Sequence, residues 1–333
     1  MNKRTVTKAT FLKRVKDTIK HYYMFRENDR VLVAVSGGAD SVCLLNVLES
    51  VKRSLGIDTV IANMDHCLRG KESARDSDYV RKLSLQLGLP FEHKKVDVSS
   101  SVKKGASLEE RARDERYRFF REAARRSGCN VIATGHTMDD QAETVIMRVI
   151  YGASPVSLSG IPPVREEKGL KLVRPLIRVS REQILDFLEK NGVGFVEDSS
   201  NSDVMFLRNK MRLEVLPFLE KYNPRVKRSL VNLSDAVRED LEYLQQQSRK
   251  AMEGSRNRTR ISIKDIILQP KALRREVFKQ LFTNAGGNVK KLSYRHWMLM
   301  DRFLRESEKG RSLDFPGDIR VTKKGSDLVF DKR

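Results

Sequence analysis

The feature that most constrains the fold of this chain is a segment of eleven residues, 31–41, in which five apolar residues precede Ser-Gly-Gly-Ala-Asp-Ser. An apolar, β-branched run of this length predicts a buried strand. Residues 42–47 are again mostly apolar and predict a helix directly after the small-residue loop. Backbone N–H groups and the helix dipole attract anions at a helix N-terminus. The segment therefore predicts a cradle for a phosphate or pyrophosphate group.

The loop itself differs from the common nucleotide-binding motifs. It lacks the spacer and the Gly-Lys-Ser/Thr ending of a Walker A sequence, and it lacks G-x-G-x-x-G. A tight strand-to-helix turn of an α/β protein is the simpler interpretation, but Asp40 and Ser41 stand where a phosphate site needs them. The Asp40 carboxylate is suited to hold the Mg²⁺ of a nucleotide. The predicted nucleotide contacts in the loop are Ser36, Gly37, Gly38, Ala39, Asp40 and Ser41.

Strand-like and helix-like patterns alternate from residue 31 to residue 150. This alternation predicts an α/β fold with a doubly wound parallel sheet, in which ligands bind beyond the carboxyl ends of the strands. Asp65, His66 and the segment 136–143 each follow a predicted strand end, as the loop does. Further along, residues 166–169 predict the turn of a hairpin, and Ser180 is predicted to cap a helix.

The segment 135–144 places a histidine and three acids behind the predicted fourth strand. On a helix, His136, Asp140 and Glu143 are spaced to share one face, and Asp139 is the i,i+4 neighbour of Glu143. Like charges at that spacing are destabilising unless a metal, an arginine or a substrate ammonium lies beside them. The helix dipole favours acids in the first turn, which explains Asp139 and Asp140 but neither of the other two residues.

Two further segments are rich in arginine. Arg113 and Arg116 are spaced to share a face of a charged helix, where guanidinium groups could bind phosphate bidentately or form ordinary surface ion pairs. Arg208, Asn209 and Arg212 begin a basic helix after a polar loop. Either simple helix capping or contact with a nucleotide or RNA phosphate accounts for that second segment.

Charge and size set the domain organisation and the kind of partner. The chain has 333 residues and a formal net charge of +21, which points to a polyanion such as nucleic acid. Residues 218–333 hold 27 Lys and Arg against 15 Asp and Glu, so this part is the more densely basic. We predict a catalytic domain over residues 1–217 and a smaller, mainly helical, basic domain over residues 218–333 that binds nucleic acid, with a short β segment at 311–330.

The composition also excludes several classes of protein. No apolar stretch is long enough to span a bilayer, so no membrane partner is expected. The three cysteines are far apart and form no Cys-x-x-Cys pair, which argues against a zinc or iron–sulfur site. Cys43 and Cys129 stand in apolar surroundings and are expected to be reduced core residues, as in a cytoplasmic protein.

Taken in order, the motifs resemble the tRNA(Ile)-lysidine synthase family of PP-loop ATP pyrophosphatases. The resemblance covers most of residues 20–220, whereas the loop alone is shared by many ATP pyrophosphatases. Thr137 and Tyr151 depart from the pattern, since the family often has a second histidine and an arginine there. The motifs are Ser-Gly-Gly-x-Asp-Ser at 36–41, Asp65-His66-x-Leu-Arg69, Ala112-Arg113-x-x-Arg116-Tyr117, Gly135-His136-x-x-Asp139-Asp140-Gln-Ala-Glu143-Thr144, Arg174-Pro-Leu176, and Glu197-Asp-x-Ser-Asn201 followed by Arg208-Asn209, Arg212 and Pro217.

The resemblance implies an adenine nucleotide alpha hydrolase-like fold and a ligase that forms a carbon–nitrogen bond. It implies ATP as substrate with Mg²⁺, and free L-lysine and tRNA(Ile) with a CAU anticodon as partners. The oxygen on C2 of the wobble cytidine would be adenylated, and the lysine amine would then displace AMP to give lysidine. The sequence does not fix the oligomeric state, for which a homodimer is one expectation.

Three alternatives to this function are left open: another PP-loop tRNA-modifying enzyme such as a thiolase, an amide-forming synthetase, and a non-catalytic nucleic-acid-binding protein. Thiolases usually need cysteine pairs.

The resemblance also assigns roles to the candidate residues. The implied catalytic residues are Asp40, Arg113, His136, Asp139 and Asp140; Arg113 and Gly135 join the loop in binding ATP; Asp40 holds the metal; Asp139 and Glu143 bind lysine; and Arg116, Arg148, Arg174, Asn201, Arg208, Asn209 and Arg212 contact tRNA or phosphate.

Overall fold

The computed structural model describes residues 7–65, 71–96, 108–152, 155–196, 207–253, 258–306, 308 and 310–333. Of the predicted site residues, His66, Arg69 and Asn201 lie outside this set. Contacts divide the chain into two compact units, Met1–Tyr151 with Gly160–Leu233 and Gly152–Ser159 with Ser234–Arg333. This division falls inside a helix, and the functional boundary at residue 217 stays a prediction.

The described strands and helices follow the predicted alternation. The strands are β1 (Arg30–Ala34), β2 (Asp58–Asp65), β3 (Phe91–Lys95), β4 (Val131–Ala133), β5 (Val164–Glu167), β6 (Leu170–Val173), β7 (Arg260–Ser262), β8 (Ser312–Phe315), β9 (Ile319–Lys324) and β10 (Asp327–Lys332). The helices are α1 (Lys8–His21), α2 (Ala39–Leu55), α3 (Lys71–Leu87), α4 (Leu108–Arg126), α5 (Met138–Ile150), α6 (Pro155–Leu158), α7 (Arg181–Lys190), α8 (Leu207–Lys210), α9 (Leu216–Tyr222), α10 (Val226–Met252), α11 (Ile263–Ile267), α12 (Lys271–Asn284) and α13 (Tyr294–Glu306).

The first unit is built on a six-stranded sheet in the order β3-β2-β1-β4-β6-β5. All neighbouring strands are parallel except β5, which is antiparallel to β6. The predicted doubly wound parallel sheet is therefore confirmed, with one antiparallel strand at its edge. The hairpin turn predicted at 166–169 is also confirmed, with Lys168 and Gly169 between β5 and β6.

The central strand β1 is buried on both faces, as the apolar run predicts. Val31 and Val33 are fully buried and pack in the cluster formed with α1, α2 and α7. Leu32 points to the other face and packs with Phe119 of α4. Because helices cover both faces, the carboxyl edge of the sheet is the natural place for a site.

The second unit combines helices with a four-stranded antiparallel sheet in the order β7-β10-β9-β8. Its core contains Phe278, Phe282 and Phe330. The predicted β segment at 311–330 is present and reaches Lys332, but the short strand β7 was not predicted. None of the helices that the structure describes is both long and apolar enough to cross a membrane.

Candidate active site

The small-residue loop between β1 and α2 holds its shape through local hydrogen bonds. Gly37 has a φ of +96°, in the region that favours glycine. The Ser41 hydroxyl donates to the carbonyl of Gly38 at 2.9 Å and accepts from the N–H of Ser36 at 3.1 Å. Gly38 caps α2 without a side chain, so no side-chain cap covers the first turn. The helix N-terminus is thus presented as an anion site.

Gly135 brings the end of β4 against this helix N-terminus. A Cβ atom at Gly135 would lie 3.1 Å from the carbonyl carbon and oxygen of Asp40 and 3.2 Å from the nitrogen of Ser41. These contacts are tighter than side chains normally allow, and the atoms involved are backbone. The predicted ATP-binding residues of the loop and Gly135 are therefore adjacent.

Asp40 is the acidic residue in the first turn of α2. Its Oδ2 atom accepts a hydrogen bond from Nη1 of Arg181 at 2.9 Å, whereas Oδ1 is buried and has no hydrogen-bond partner among the described residues. Burial raises the pKa of Asp40 to about 6, although the charge of Arg181 opposes this shift. A buried acceptor without a donor is uncommon and marks a place where a ligand or ion can bind.

The donor set fits a nucleotide-bound Mg²⁺. Among the described residues, no group of three or more His, Cys, Asp or Glu side chains is arranged to hold a metal ion. Mg²⁺ usually takes only one or two carboxylates and completes its shell with water and substrate phosphates. The Oδ1 of Asp40, which has no partner among the described residues and lies beside the predicted phosphate cradle, meets that requirement.

Glu143 and Asp140 of α5 are bound by two arginines from α8 and the π-helical turn that follows it. Arg208 Nε lies 2.7 Å from Glu143 Oε2, and its Nη2 lies 2.7 Å from Asp140 Oδ1. Arg212 Nε lies 2.6 Å from Glu143 Oε1, and the Glu143 side chain is 0% exposed. Burial alone would raise the pKa of Asp140, but Arg208 and hydrogen bonds from Thr137 lower it below its ordinary value. Arginine, one of the three cations considered for the Asp139–Glu143 pair, is thus the partner of Glu143.

Asp139 points to a different set of partners. Its Oδ2 accepts the backbone N–H of Arg181 at 2.7 Å, and its Oδ1 lies 3.0 Å from Nζ of Lys227. Glu220 shares the same ammonium at 3.1 Å. Asp139 and Glu143 are thus stabilised by separate cations. Both carboxylates already bind cations of the chain. Their direct roles in binding lysine stay predictions.

His136 is not on the helix, which corrects the helical spacing predicted for it. The helix α5 begins at Met138, and Thr137 is its N-cap. The Thr137 hydroxyl accepts the N–H of Asp140 at 3.3 Å, and the Asp140 carboxylate accepts the N–H of Thr137 at 2.8 Å. His136 instead places Nδ1 2.9 Å from the hydroxyl of Thr134. Burial and then the charge of Arg174 lower the pKa of His136, so its imidazole is neutral at pH 7.

Two of the predicted arginines, Arg113 and Arg174, lie near Tyr117 together with Arg165, which was not predicted. The guanidinium of Arg113 lies 5.6 Å from the ring centre, and that of Arg165 lies 5.8 Å from it. Arg174 is 1% exposed and hydrogen-bonds with Tyr117, and no residue that the structure describes hydrogen-bonds with its Nε. Burial and then the charge of Arg113 lower the pKa of Arg148. This concentration of positive charge would be relieved by a bound phosphate.

The remaining predicted arginine, Arg116, is exposed on α4, and Asn209 lies on α8. Arg165, Arg181 and Lys227 of this site were missed by the sequence analysis. Arg181 is the first residue of α7, and its N-cap Ser180 was predicted. The position of Arg181 in the first turn of this helix could therefore have been predicted from the sequence. Lys227 lies in the first turn of α10, and its sequence surroundings gave no indication of a partner.

Residues 8–219 match the family described as PP-loop domain. The match and the loop geometry define the class: this chain contains a PP-loop domain of the ATP-pyrophosphatase type. It is 36% identical over 332 residues to the tRNA(Ile)-lysidine synthase of Geobacter sulfurreducens, covering 97% of this chain and 69% of that protein. It is 37% identical to that of Petrotoga mobilis, covering 68% of this chain and 72% of the relative. The chain belongs to the tRNA(Ile)-lysidine synthase family.

Other comparisons fit this assignment. The chain is 38% identical over 240 residues to the tRNA(Ile)-lysidine synthase of Clostridium perfringens, but spans only 50% of that protein's length. Among solved structures, the U34-tRNA thiolase NcsA from Methanococcus maripaludis has a TM-score of 0.58 and 18% identity, covering 69% of this chain and 79% of the thiolase. This likeness shows the fold alone, so the thiolase alternative is the more distant one.

Proposed function

We propose that this chain ligates free L-lysine to C2 of the wobble cytidine, position 34, of tRNA(Ile) with a CAU anticodon. ATP is consumed, and AMP and pyrophosphate are released. Membership of the tRNA(Ile)-lysidine synthase family supports the reaction. The observation that carries the site is the buried Oδ1 of Asp40 in the first turn of α2, which has no partner among the described residues and follows a loop that leaves the helix N-terminus without a side-chain cap.

The first half-reaction takes place at the loop. The C2 oxygen of the cytidine attacks the α-phosphate of ATP, and pyrophosphate leaves. Asp40 would hold Mg²⁺, which supplies charge neutralisation for the triphosphate when bound. We assign to the backbone at the start of α2 and to the guanidinium of Arg113 the task of stabilising the negative charge that develops on the phosphate oxygens.

The second half-reaction needs a lysine amine close to the adenylated cytidine. We keep the predicted role of Asp139 as an anchor for the substrate ammonium, which requires that the substrate displace the Lys227 ammonium 3.0 Å from this carboxylate. Glu143 is fully engaged by Arg208 and Arg212, so it acts in the proposal by fixing these guanidinium groups. Asp140 is a weak base because Arg208 lowers its pKa, and we assign it the same positioning task.

The tRNA is bound mainly through charge in this proposal. The arginines around Tyr117 offer sites for anticodon-loop phosphates, and a net charge of +21 favours a polyanion overall. Single-stranded loops allow a base to leave its stack at small cost, which the chemistry at C2 requires. The cytoplasm is the proposed compartment, and the homodimer expected from the sequence stays a prediction.

The proposal is tested with the purified chain, CAU-anticodon tRNA, ATP, Mg²⁺ and labelled lysine. We expect label in the tRNA only when all components are present, and pyrophosphate release that depends on the tRNA. The matched pair Asp40→Asn and Asp58→Asn separates the site from a general charge effect, since Asp58 is exposed at the start of β2. Adenylation of another acceptor without lysine incorporation would contradict the proposal.

A further inference from the structure

A groove of about 530 Å³ lies between α12 and α13 of the second unit, and all of its lining residues belong to these two helices. Its rim is aromatic and apolar although it faces solvent. Tyr294 is 69% exposed and Met298 is 60% exposed. Trp297, the only tryptophan of the chain, also lines the groove.

The groove is strongly cationic. Six of its lining residues are lysine or arginine, and two are acidic. The acids are already neutralised, because Asp301 lies 2.6 Å from Arg274 and 2.7 Å from Arg305, and Glu306 lies 2.7 Å from Arg302. The remaining three cations, Lys271, Arg275 and Arg295, have no carboxylate within 4.0 Å among the residues that the structure describes. The positive charge is therefore available to an anionic ligand.

Packing of the second unit does not account for this surface. Phe278 and Met300 are buried in the core between the helices and the sheet, and Trp297 is partly packed against that core. Tyr294 and Met298 follow the helical spacing that puts them on the groove side, where they stay exposed. Exposed aromatic side chains interleaved with free cations are the arrangement that binds unpaired nucleotides, because bases stack on the rings while phosphates meet the cations.

We propose that this groove binds an unpaired stretch of RNA, with bases on Tyr294 and Trp297 and phosphates on Lys271, Arg275 and Arg295. The inference rests on the proposed function and deepens it, since it names single-stranded nucleotides of the tRNA as the ligand of this unit. A duplex offers phosphates but no free base faces, and an acidic protein surface offers charge without flat rings. RNA with unpaired bases is the ligand that uses both features.

The single tryptophan makes the test direct. The full-length chain is titrated with a single-stranded RNA of about ten nucleotides, a duplex RNA of the same length, and a poly-glutamate peptide. We expect the single strand to quench Trp297 fluorescence and the duplex and peptide to have little effect. Tyr294→Ala should weaken the single-strand affinity about 5- to 100-fold, Tyr294→Phe should retain most of it, and Arg295→Ala should weaken it and reduce its salt dependence. Arg311→Ala is the matched control, because Arg311 is exposed outside the groove.

The outcomes separate this inference from the proposed function. Equal quenching by duplex RNA, quenching by the peptide instead of RNA, or no loss of affinity with Tyr294→Ala would each overturn the groove assignment. Lysidine formation with an unchanged KM for tRNA in Tyr294→Ala would overturn it while the proposed function stands. Single-strand quenching without any lysidine formation would overturn the proposed function while the groove assignment stands.

Discussion

The loop 36–41 and the start of α5 both lie at the carboxyl edge of the same sheet, yet their polar groups are used in opposite ways. The loop is held by hydrogen bonds among its own residues, and one Asp40 oxygen is left without a partner. The acids of α5 are instead saturated by cations that come from 65 to 88 residues further along the chain, Arg208 and Arg212 on Glu143 and Lys227 on Asp139. The unpartnered oxygen of Asp40 marks where a ligand is expected. The paired carboxylates of α5 form a framework that positions arginines.

The largest effect should follow from breaking that framework. Glu143→Ala removes the buried carboxylate that accepts hydrogen bonds from both Arg208 and Arg212, and losing two hydrogen bonds between charged groups typically costs about 3–6 kcal/mol. We expect the free energy of unfolding of the first unit to fall by about that amount. A urea titration followed by circular dichroism measures it, while Trp297 fluorescence follows the second unit.

Glu166→Ala is the control for this change, because Glu166 is an exposed glutamate of the same unit. Surface substitutions of this kind usually stay within about 0.5 kcal/mol. If Glu143→Ala were as mild as Glu166→Ala, the acids of α5 would not be a structural framework, and a direct role in binding lysine would become the better explanation for Glu143.

Substitution of Asp40 should instead have its main effect on activity. Asp40→Asn keeps the size of the side chain but removes the charge that would hold the metal. We expect tRNA-dependent pyrophosphate release to fall about 100- to 1,000-fold, the range typical of losing one electrostatic contact to a reacting group. Asp58→Asn should leave the rate unchanged. Full activity in Asp40→Asn would remove Asp40 from the site.

The same residue predicts a pH dependence of stability. Its pKa is raised from 3.8 to about 6 on folding, mainly by burial, so the folded state binds more protons between these values. Asp40 therefore costs nothing below pH 3.8, and its charge destabilises the fold progressively as the pH rises to about 6. Relative to Asp40→Asn, the wild-type chain should lose up to about 3 kcal/mol across this window. A difference that is constant between pH 4 and pH 7, measured by urea titration, would contradict the raised pKa.

What the sequence predicts well is what short-range interactions decide. The strand before the loop and the Ser180 cap follow from neighbouring residues, and the structure contains both. The partners of the α5 acids could not be predicted individually, because Arg181 and Lys227 reach them only through the tertiary fold. The strand β7 has three residues, too few for a two-residue periodicity to be recognised. The displaced position of His136 has a local cause, since Thr137 takes the N-cap.

The smallest predicted effect concerns Thr137, the N-cap of α5. Thr137→Ala removes the hydroxyl that caps α5, and losing an N-cap costs about 1 kcal/mol. Thr137→Ser keeps the hydroxyl and should restore most of that stability. Asp140 also loses the hydrogen bond from the Thr137 hydroxyl in Thr137→Ala, so its ion pair with Arg208 should be less well ordered. We therefore expect lysidine formation to slow by a larger factor than the loss of folding free energy alone explains. A loss of stability with unchanged activity would mean that the cap serves the helix alone, and that Arg208 is positioned by Glu143 without help from Asp140.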